Sequence, residues 1–411
     1  MNVSKLIGST MIFIGTIIGA GMLAMPLVSA SLGFIWSLIL LLILWVASTI
    51  TGLLVVEVNL TLPANSCSFS SMAKHTLGNF GKVITWVSYL FLLYAIIVAY
   101  VIGGSNLIAS TITFLFHIQI PNWICAILFT LILGIAVFWS TKTVDYFNRN
   151  LMSLKGLLLL ATLILIVPHI DINKLIISPH VTQLKYLWGA VPVFVCAFCY
   201  HFVIPSLRIY IGDKPSQLKM LVIISTTFSL IVYVWWIASA FGVIPLTGEN
   251  SFISIAHDPK PPSELVQLIT LLVNNKWVTT SINGFANIAL TTAFLGVALG
   301  LFDFLADGLK RPDTRFGRLQ TASLTFIPPL IFGVLYPTGF VKAINYASIS
   351  VAILSLILPV TMTYYLRKNQ EVKFLYRVKC GNIGLILIFL LGIVTIILAI
   401  LFALNLLPEI K

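Results

Sequence analysis

Charge is what this sequence has least of. Only 9% of its 411 residues are Asp, Glu, Lys or Arg, while 59% are hydrophobic. Soluble domains run near one quarter charged, so a chain this poor in charge cannot cover its own surface in water. A bilayer supplies the missing apolar environment. Acidic residues are scarcest, 12 against 24 basic ones, for a net charge of +12. That excess would suit nucleic acid only if Lys and Arg clustered on one folded surface. Here they fall between apolar runs, as in the loops of membrane proteins. No polar stretch is long enough for a separate soluble domain. The cysteines are scattered (Cys67, Cys125, Cys196, Cys199 and Cys380) and lack metal-ligand spacing, so neither metal nor cofactor is expected. Cys196 and Cys199 form a C-x-x-C inside an apolar run and read as small packing residues.

What the sequence has is long apolar runs. About 20 such residues, rising 1.5 Å each, cross roughly 30 Å of hydrocarbon. Backbone groups in lipid must be bonded internally, so the runs are helices. Eleven spans are predicted, at 7–32, 34–58, 82–116, 121–139, 151–169, 187–207, 218–245, 278–305, 319–336, 340–365 and 382–405. The first resembles a signal peptide, with Lys5 before it and Ser29-Ala30-Ser31 at its end. It is broken by Gly15, Gly19 and Gly21, and exceeds the roughly 7–15 apolar residues of a signal core; it is read as a span. With the N-terminus in the cytoplasm, every Lys and Arg except Lys174, Lys185, Lys260, Lys276, Lys342 and Lys411 falls inside. An odd number of spans leaves the C-terminus external.

Two loops are long for a compact helical protein, 59–81 and 246–277, and such loops are often functional. They occupy the same place in two successive sets of five spans, with opposite sidedness. The expected fold is therefore an all-α integral membrane protein of eleven transmembrane helices, a five-plus-five inverted repeat with one helix appended. Residues 1–366 form the core, with repeat one at about 5–170 and repeat two at about 186–366. Residues 367–411 hold a cytoplasmic loop and the eleventh helix.

Transporters of this design bind substrate at the midplane, where helices are interrupted. Spans one and six are the expected broken helices. Span one carries Gly15-Thr16-Ile17-Ile18-Gly19-Ala20-Gly21-Met22 and then Pro26. Span six carries Phe198-Cys199-Tyr200-His201-Phe202 and then Pro205, and 20–26 aligns with 199–205. Each proline lies mid-span, where it removes a helix hydrogen bond. A half-helix beginning near Gly21 or Met22 offers free N–H groups and a positive dipole end to a carboxylate. Carbonyls freed near Ile17 and Ile18, and near Phe198 and Cys199, suit an ammonium. A zwitterionic amino acid matches that pairing. The alternative is that the glycines only let helices pack closely.

Ionisable groups inside spans are functional candidates. His201, beside the second interruption, either exchanges a proton or is a neutral ring bonded to backbone. Glu57, at the end of span two, either takes part in coupling or pairs with a loop cation near headgroup water. Lys155 lies just inside span five, where snorkelling to the interface is the ordinary reading. Asp303 and Asp307 share one face of span eight, but Lys310 and Arg311 follow, as at a charge-neutralised helix end. Thr291 and Thr292 either line a site or bond back to their own helix. Tyr94 and Tyr100 of span three are candidates for an aromatic cargo but do not share a face. Trp36, Trp123, Trp188 and Trp277 lie at span ends as interfacial anchors.

Several separated pieces resemble the hydroxy/aromatic amino acid permease family, in its tyrosine and tryptophan permease branch. They are Gly15 to Pro26 of span one, Thr51-Gly52-Leu53-Leu54-Val55-Val56-Glu57-Val58-Asn59, and His201 with Ile204-Pro205-Ser206-Leu207. Phe294 to Asp307, and Pro328-Pro329 with Tyr336-Pro337-Thr338-Gly339-Phe340, complete the set. The resemblance implies the fold of the amino acid–polyamine–organocation transporters and proton-driven uptake across a bacterial inner membrane. It implies an aromatic amino acid, tyrosine first and tryptophan second, and alternating access. Substrate would lie between spans one and six (Ile17, Ile18, Gly19, Gly21, Met22, Phe198, Cys199, Tyr200, His201), with Tyr100 and Thr292 closing it from spans three and eight. It also implies that Lys155 can stand where sodium-coupled relatives hold an ion; with His201, Glu57 and Asp303, candidates by their own position, it makes up the coupling set. The family commonly has small residues around the span-six aromatic–His pair; Cys199 and Phe202 depart from this and bear on which side chain is carried. Alternatives are sodium coupling, serine or threonine as cargo, a membrane prenyltransferase using Asp303 and Asp307, and a substrate sensor.

Overall fold

A computed structural model describes residues 3–19, 21–63, 68–139, 141–176, 184–256, 262–311, 314–368 and 374–407. Ala20, Cys67, Lys260 and Lys411, named above, lie outside them. All regular structure among the described residues is helical. In order the helices are α1 (Val3–Ile17), α2 (Gly21–Ser29), α3 (Phe34–Asn59), α4 (Phe69–Phe116), α5 (Asn122–Trp139), α6 (Thr141–Ile166), α7 (Ile172–Ile176), α8 (Leu187–Ala197) and α9 (Ile204–Ile211). There follow α10 (Pro215–Val243), α11 (Phe252–Ala256), α12 (Pro262–Val273), α13 (Lys276–Gly308), α14 (Arg315–Leu335), α15 (Phe340–Val351), α16 (Leu358–Lys368) and α17 (Asn382–Ala403). A π-helical stretch, Ala352–Ile357, joins α15 to α16.

Among the described residues ten helices are long and apolar enough to cross a membrane, or eleven if the bent pair α1–α2 is one span. The side chains show which faces meet lipid. Along α3, Ile35, Ile39, Leu42, Ile43 and Val46 are exposed, an apolar stripe at helical spacing that water would penalise. Ile383, Ile386, Leu387, Leu390 and Ile397 repeat the pattern on α17. Trp36, Trp123, Trp188 and Trp277 are likewise exposed near helix ends. Polar groups point inward: Ser48, Thr51, Glu57, Lys155, His201 and Arg208 are all buried.

The helix bounds fall within a few residues of the expected spans, except that α6 begins ten residues early, at Thr141, and α4 thirteen residues early, at Phe69. The two long loops are not plain loops. In the first, the Ser68 side chain accepts the Ser71 N–H and caps a helix that buries Met72 and Ala73. This helix meets the span at Gly78, whose φ of 68° and ψ of −157° suit a residue without a Cβ. In the second, α12 buries Leu265, Val266 and Ile269 against its neighbours. Apolar residues at helical spacing in both stretches were masked by the flanking Pro, Gly and Ser.

The ends of α3 and α9 are tied by Arg208, which donates to the Asn59 backbone carbonyl and, at 2.7 Å, to Asp213. That guanidinium holds the Asp213 carboxyl below its ordinary range. A second tie joins α3 to α16. Arg367 forks onto Glu57 through two bonds of 2.7 Å and also donates to the carbonyls of Val378 and Cys380. The Val378 N–H adds a third donor to the Glu57 carboxylate. Removing one partner of such a pair leaves a buried charge uncompensated, at a cost of about 3–5 kcal/mol. Glu57→Ala is therefore expected to lower the thermal unfolding midpoint of the protein in detergent well below that of Asp213→Ala, whose carboxylate is half-exposed. Equal midpoints for the two variants would mean that the Glu57 fork does not hold the fold.

Candidate functional site

Helical bonding in the first span stops at Ile17 and resumes at Gly21, and the axes on either side differ by 42°. Gly19 N–H turns back to the Ile17 carbonyl at 2.8 Å, so the chain tightens instead of continuing. A second stop occurs at Ala197, where α8 ends. Phe198 and Cys199 send their N–H groups back three residues, to Val195 and Cys196, and a short 3₁₀ turn, His201–Val203, leads into α9. Pro205 sits in the first turn of α9, where no helical N–H is needed; it costs no hydrogen bond there. Pro26 differs. It lies inside α2 and leaves the Met22 carbonyl without its helical donor.

The two stops face each other. A Cβ on Gly21 would lie 3.8 Å from the Ala197 backbone. Tyr233 of α10 puts its hydroxyl 2.7 Å from the Ile17 carbonyl and 2.8 Å from the Ala197 carbonyl, while its ring meets Phe198 edge-on at 5.5 Å. Three residues on, Trp236 donates its indole N–H to the Met22 carbonyl at 3.0 Å, in place of the donor that Pro26 lacks. Lys155 of α6 closes the other side. Its buried ammonium donates to the carbonyls of Ile18 at 3.0 Å and Gly15 at 3.4 Å, the negative end of the α1 dipole. It does not snorkel. Tyr100 completes the surround, with its hydroxyl 3.8 Å from where a Gly19 Cβ would be, and near Cys196 and Cys199. Tyr100, Cys196, Cys199, Phe202 and Tyr89 are only half-buried, and Tyr89 meets Phe202 edge-on at 5.7 Å.

The structure thus brings together Ile17, Ile18, Gly19, Gly21, Met22, Phe198, Cys199, Tyr100 and Lys155. It sets other candidates apart. Tyr200 and His201 stack on each other and turn to α3: Tyr200 donates to the Ser48 carbonyl at 2.8 Å, and His201 Nε2 lies 2.8 Å from the Thr51 hydroxyl. Since that hydroxyl donates to the Ser48 carbonyl, Nε2 is the donor of the pair. Gly52 makes room for the arrangement; a Cβ there would lie 2.5 Å from the Tyr200 oxygen. Glu57 is bound in the Arg367 fork. Asp303 is exposed near the end of α13, with Asp307 and Arg318 as electrostatic neighbours. Thr292 bonds back to Ile288 at 2.8 Å within its own helix, and Tyr94 donates to the Leu324 carbonyl of α14.

Tyr233 and Trp236 were missed by reasoning from sequence. Both lie in mid-span, where a phenol or indole is away from the interface and must find a partner inside. That was the available signal.

Long apolar helices that stop and restart around buried carbonyls are the architecture of a membrane permease. Comparison with known proteins names the kind: a model of the tryptophan/tyrosine permease family matches residues 2–399, and the chain belongs to that family. Its members are transporters, not enzymes. The chain is 33% identical over 409 residues to a tryptophan-specific transport protein of Pseudomonas aeruginosa, covering 98% of this chain and 96% of the relative. It is 34% identical over 391 residues to tyrosine-specific transport system 1 of Haemophilus influenzae, covering 95% of each. A low affinity tryptophan permease of Escherichia coli O157:H7 is 29% identical, over 94% of this chain and 93% of the relative.

Loss of the indole donor should leave the Met22 carbonyl buried and unpaired, which costs about 1–3 kcal/mol. Trp236→Phe is expected to destabilise the protein by that amount in thermal or denaturant unfolding. No loss would mean that another donor reaches Met22.

Proposed function

We propose that this permease imports an aromatic amino acid, tyrosine first and tryptophan second, together with a proton. In this reading the chain is an inverted repeat, about 5–170 and about 186–366, with 367–411 appended. The N-terminus is cytoplasmic and the C-terminus external, in a bacterial inner membrane. The spans stopping at Ile17 and Ala197 are the broken helices of the two repeats. Alternating access moves the halves about the site between them. The relatives named for tyrosine and tryptophan support the cargo class.

The observation that carries the reading is the approach of the two stops, whose carbonyls meet at one Tyr233 hydroxyl. Helix α2 opens at Gly21, and the positive end of its dipole suits the carboxylate of an amino acid, with the Met22 N–H already turned to the Gly19 carbonyl at 3.3 Å. The carbonyls of Ile17 and Ala197 suit its ammonium. The half-buried Tyr100, Cys199 and Phe202 then receive the ring. Cys199 and Phe202 set the size of that space, which is where tyrosine and tryptophan are told apart.

Lys155 supplies the coupling. Protonated, it ties α6 to the end of α1 through Ile18 and Gly15; deprotonated, it no longer offers a charge to those carbonyls, and α1 is freed to move. His201, bound to Thr51, and Glu57, bound to Arg367, hold the scaffold around this step. Asp303 stays at the helix end.

The test is uptake of labelled tyrosine into proteoliposomes under an inward proton gradient without sodium, with tryptophan and serine as competitors. Accumulation that an uncoupler collapses, inhibited by tryptophan and not by serine, is expected; uptake that requires sodium would contradict proton coupling. Lys155→Ala is expected to bind substrate but not concentrate it, and gradient-driven accumulation by that variant would remove the lysine from coupling. Gly21→Ala should retain uptake because its Cβ has room against Ala197. Gly21→Val, which pushes branched carbons into the same gap, should abolish it, and normal uptake by Gly21→Val would displace the proposed site.

A further inference from the structure

The segment between α16 and α17 carries charge that the fold does not use. From Arg367 to Asn382 the sequence has five basic residues (Arg367, Lys368, Lys373, Arg377 and Lys379) and one acidic residue, Glu371. Glu371 and Lys373 lie outside the described residues. Along 374–380 exposure alternates residue by residue, as in an extended chain with two faces. The inner face is held down: the Val378 N–H bonds to Glu57, and the Val378 and Cys380 carbonyls accept from Arg367. The outer face presents Leu375, Arg377 and Lys379. With Arg367, Val378, Cys380 and Gly381, the two cations line a cleft of about 340 Å³. That is the lower end of the range for ligand clefts, roughly 300–1,000 Å³.

Glu57 neutralises Arg367, so the cleft keeps two positive charges. Neither the Arg377 nor the Lys379 side chain has a hydrogen bond or an ion pair among the described residues; the Arg377 guanidinium lies over the Phe374 ring, 5.8 Å from its centre. The flanks are apolar. Leu375 is 65% exposed before the cations and Ile383 is 77% exposed after them. Ile383 opens the lipid-facing stripe of α17, which runs on through Ile386, Leu387 and Leu390. Cations at the start of such a stripe stand at the level of lipid headgroups.

We infer that this cleft binds the phosphodiester of an anionic phospholipid, with Arg377 and Lys379 on the phosphate and an acyl chain along Ile383, Ile386 and Leu387. A soluble anion meets the same charges but leaves Leu375 and Ile383 uncovered, whereas a lipid covers them as it neutralises the cations. A zwitterionic headgroup brings its own ammonium to two cations and is disfavoured. Helix α17 begins beside the cleft without a side-chain cap, and its dipole adds to the positive field. Because the strand has opposite faces, the lipid takes the outer one while Glu57 keeps the inner. The headgroup thereby clamps the strand that ties α3 to α16. Nothing in this depends on which amino acid is carried.

The test is native mass spectrometry of the full chain in neutral detergent, titrated with phosphatidylglycerol, with phosphatidylcholine of the same acyl chains, and in a separate arm with glycerol 3-phosphate. Arg377→Gln/Lys379→Gln is compared with Lys74→Gln/Lys219→Gln, which removes equal charge from exposed positions outside the cleft. Phosphatidylglycerol is expected to bind more tightly than phosphatidylcholine. Its affinity should fall about fivefold for each cleft cation removed and about thirtyfold for both, and stay within about twofold in the control pair. Equal loss in the two pairs would reduce the site to general surface attraction and overturn the inference, as would equal binding of the two lipids. Glycerol 3-phosphate that binds as tightly as the whole lipid would overturn it in favour of a soluble-anion site. Should the cleft variant fail to fold, the wild type decides by photo-crosslinking with phosphatidylglycerol that carries a diazirine high on one acyl chain. Label concentrated on 374–390 is expected, and label spread evenly over all spans would overturn the site.

Discussion

A backbone carbonyl inside a membrane needs a donor, and where a helix stops or meets a proline, its own chain no longer provides one. Much of this structure follows from how those carbonyls are satisfied by neighbouring spans. Ile17 and Ala197 share Tyr233, Met22 takes the Trp236 indole, and Ile18 and Gly15 take the Lys155 ammonium. The same solution recurs away from the centre. Pro328 interrupts α14 and frees the Leu324 carbonyl, and the Tyr94 hydroxyl of α4 donates to it at 2.8 Å. Because each donor arrives from a different helix, satisfying the backbone also fixes which helices lie together.

This constraint accounts for the division of labour among the polar residues. Donors of moderate strength, a phenol and an indole, hold the helix ends at Ile17, Ala197 and Met22, each at a net worth of about 1 kcal/mol. The stronger charge-assisted networks sit elsewhere: Arg208 with Asn59 and Asp213, and Arg367 with Glu57 and the 374–381 segment. They join the ends of α3, α9 and α16. The interior is therefore held by exchangeable bonds and the rim by fixed ones. Lys155 is the exception, a charge placed at the centre and bonded only through carbonyl dipoles in the contacts found for it.

Much of this was legible in the sequence. Charge scarcity and apolar runs gave the helical membrane class, and the runs located the membrane-crossing helices to within a few residues apart from the starts of α4 and α6. Gly19 and Gly21 lie at the junction of α1 and α2, but a glycine pair alone does not mark such a junction, since Gly103 and Gly104 sit inside α4. Tyr200 and His201 were placed beside the second stop but not turned toward α3, since the direction of a side chain leaving a non-helical turn depends on partners such as Ser48 and Thr51 that are remote in sequence. Glu57 was read as a coupling group or as the partner of a loop cation; it has a cationic partner, but which one, Arg367, lies 310 residues on and beyond the reach of local patterns. Helices in the long loops escaped notice because short amphipathic stretches between Pro and Gly resemble irregular chain. Tyr233 and Trp236 drew no reading, because the carbonyls they meet lie on other helices remote in sequence.

The central claim is that the amino acid binds with its ammonium between the stops at Ile17 and Ala197. A solid-state NMR distance measurement addresses this directly, using tyrosine labelled with ¹⁵N at the amino group and protein labelled with ¹³C at isoleucine and alanine carbonyls, with Ala197→Gly to assign the alanine signal. A hydrogen bond places the nitrogen about 4 Å from the carbonyl carbon. The account predicts dipolar dephasing of one isoleucine and one alanine carbonyl, the latter lost in Ala197→Gly. Bound tyrosine that dephases neither carbonyl would contradict it.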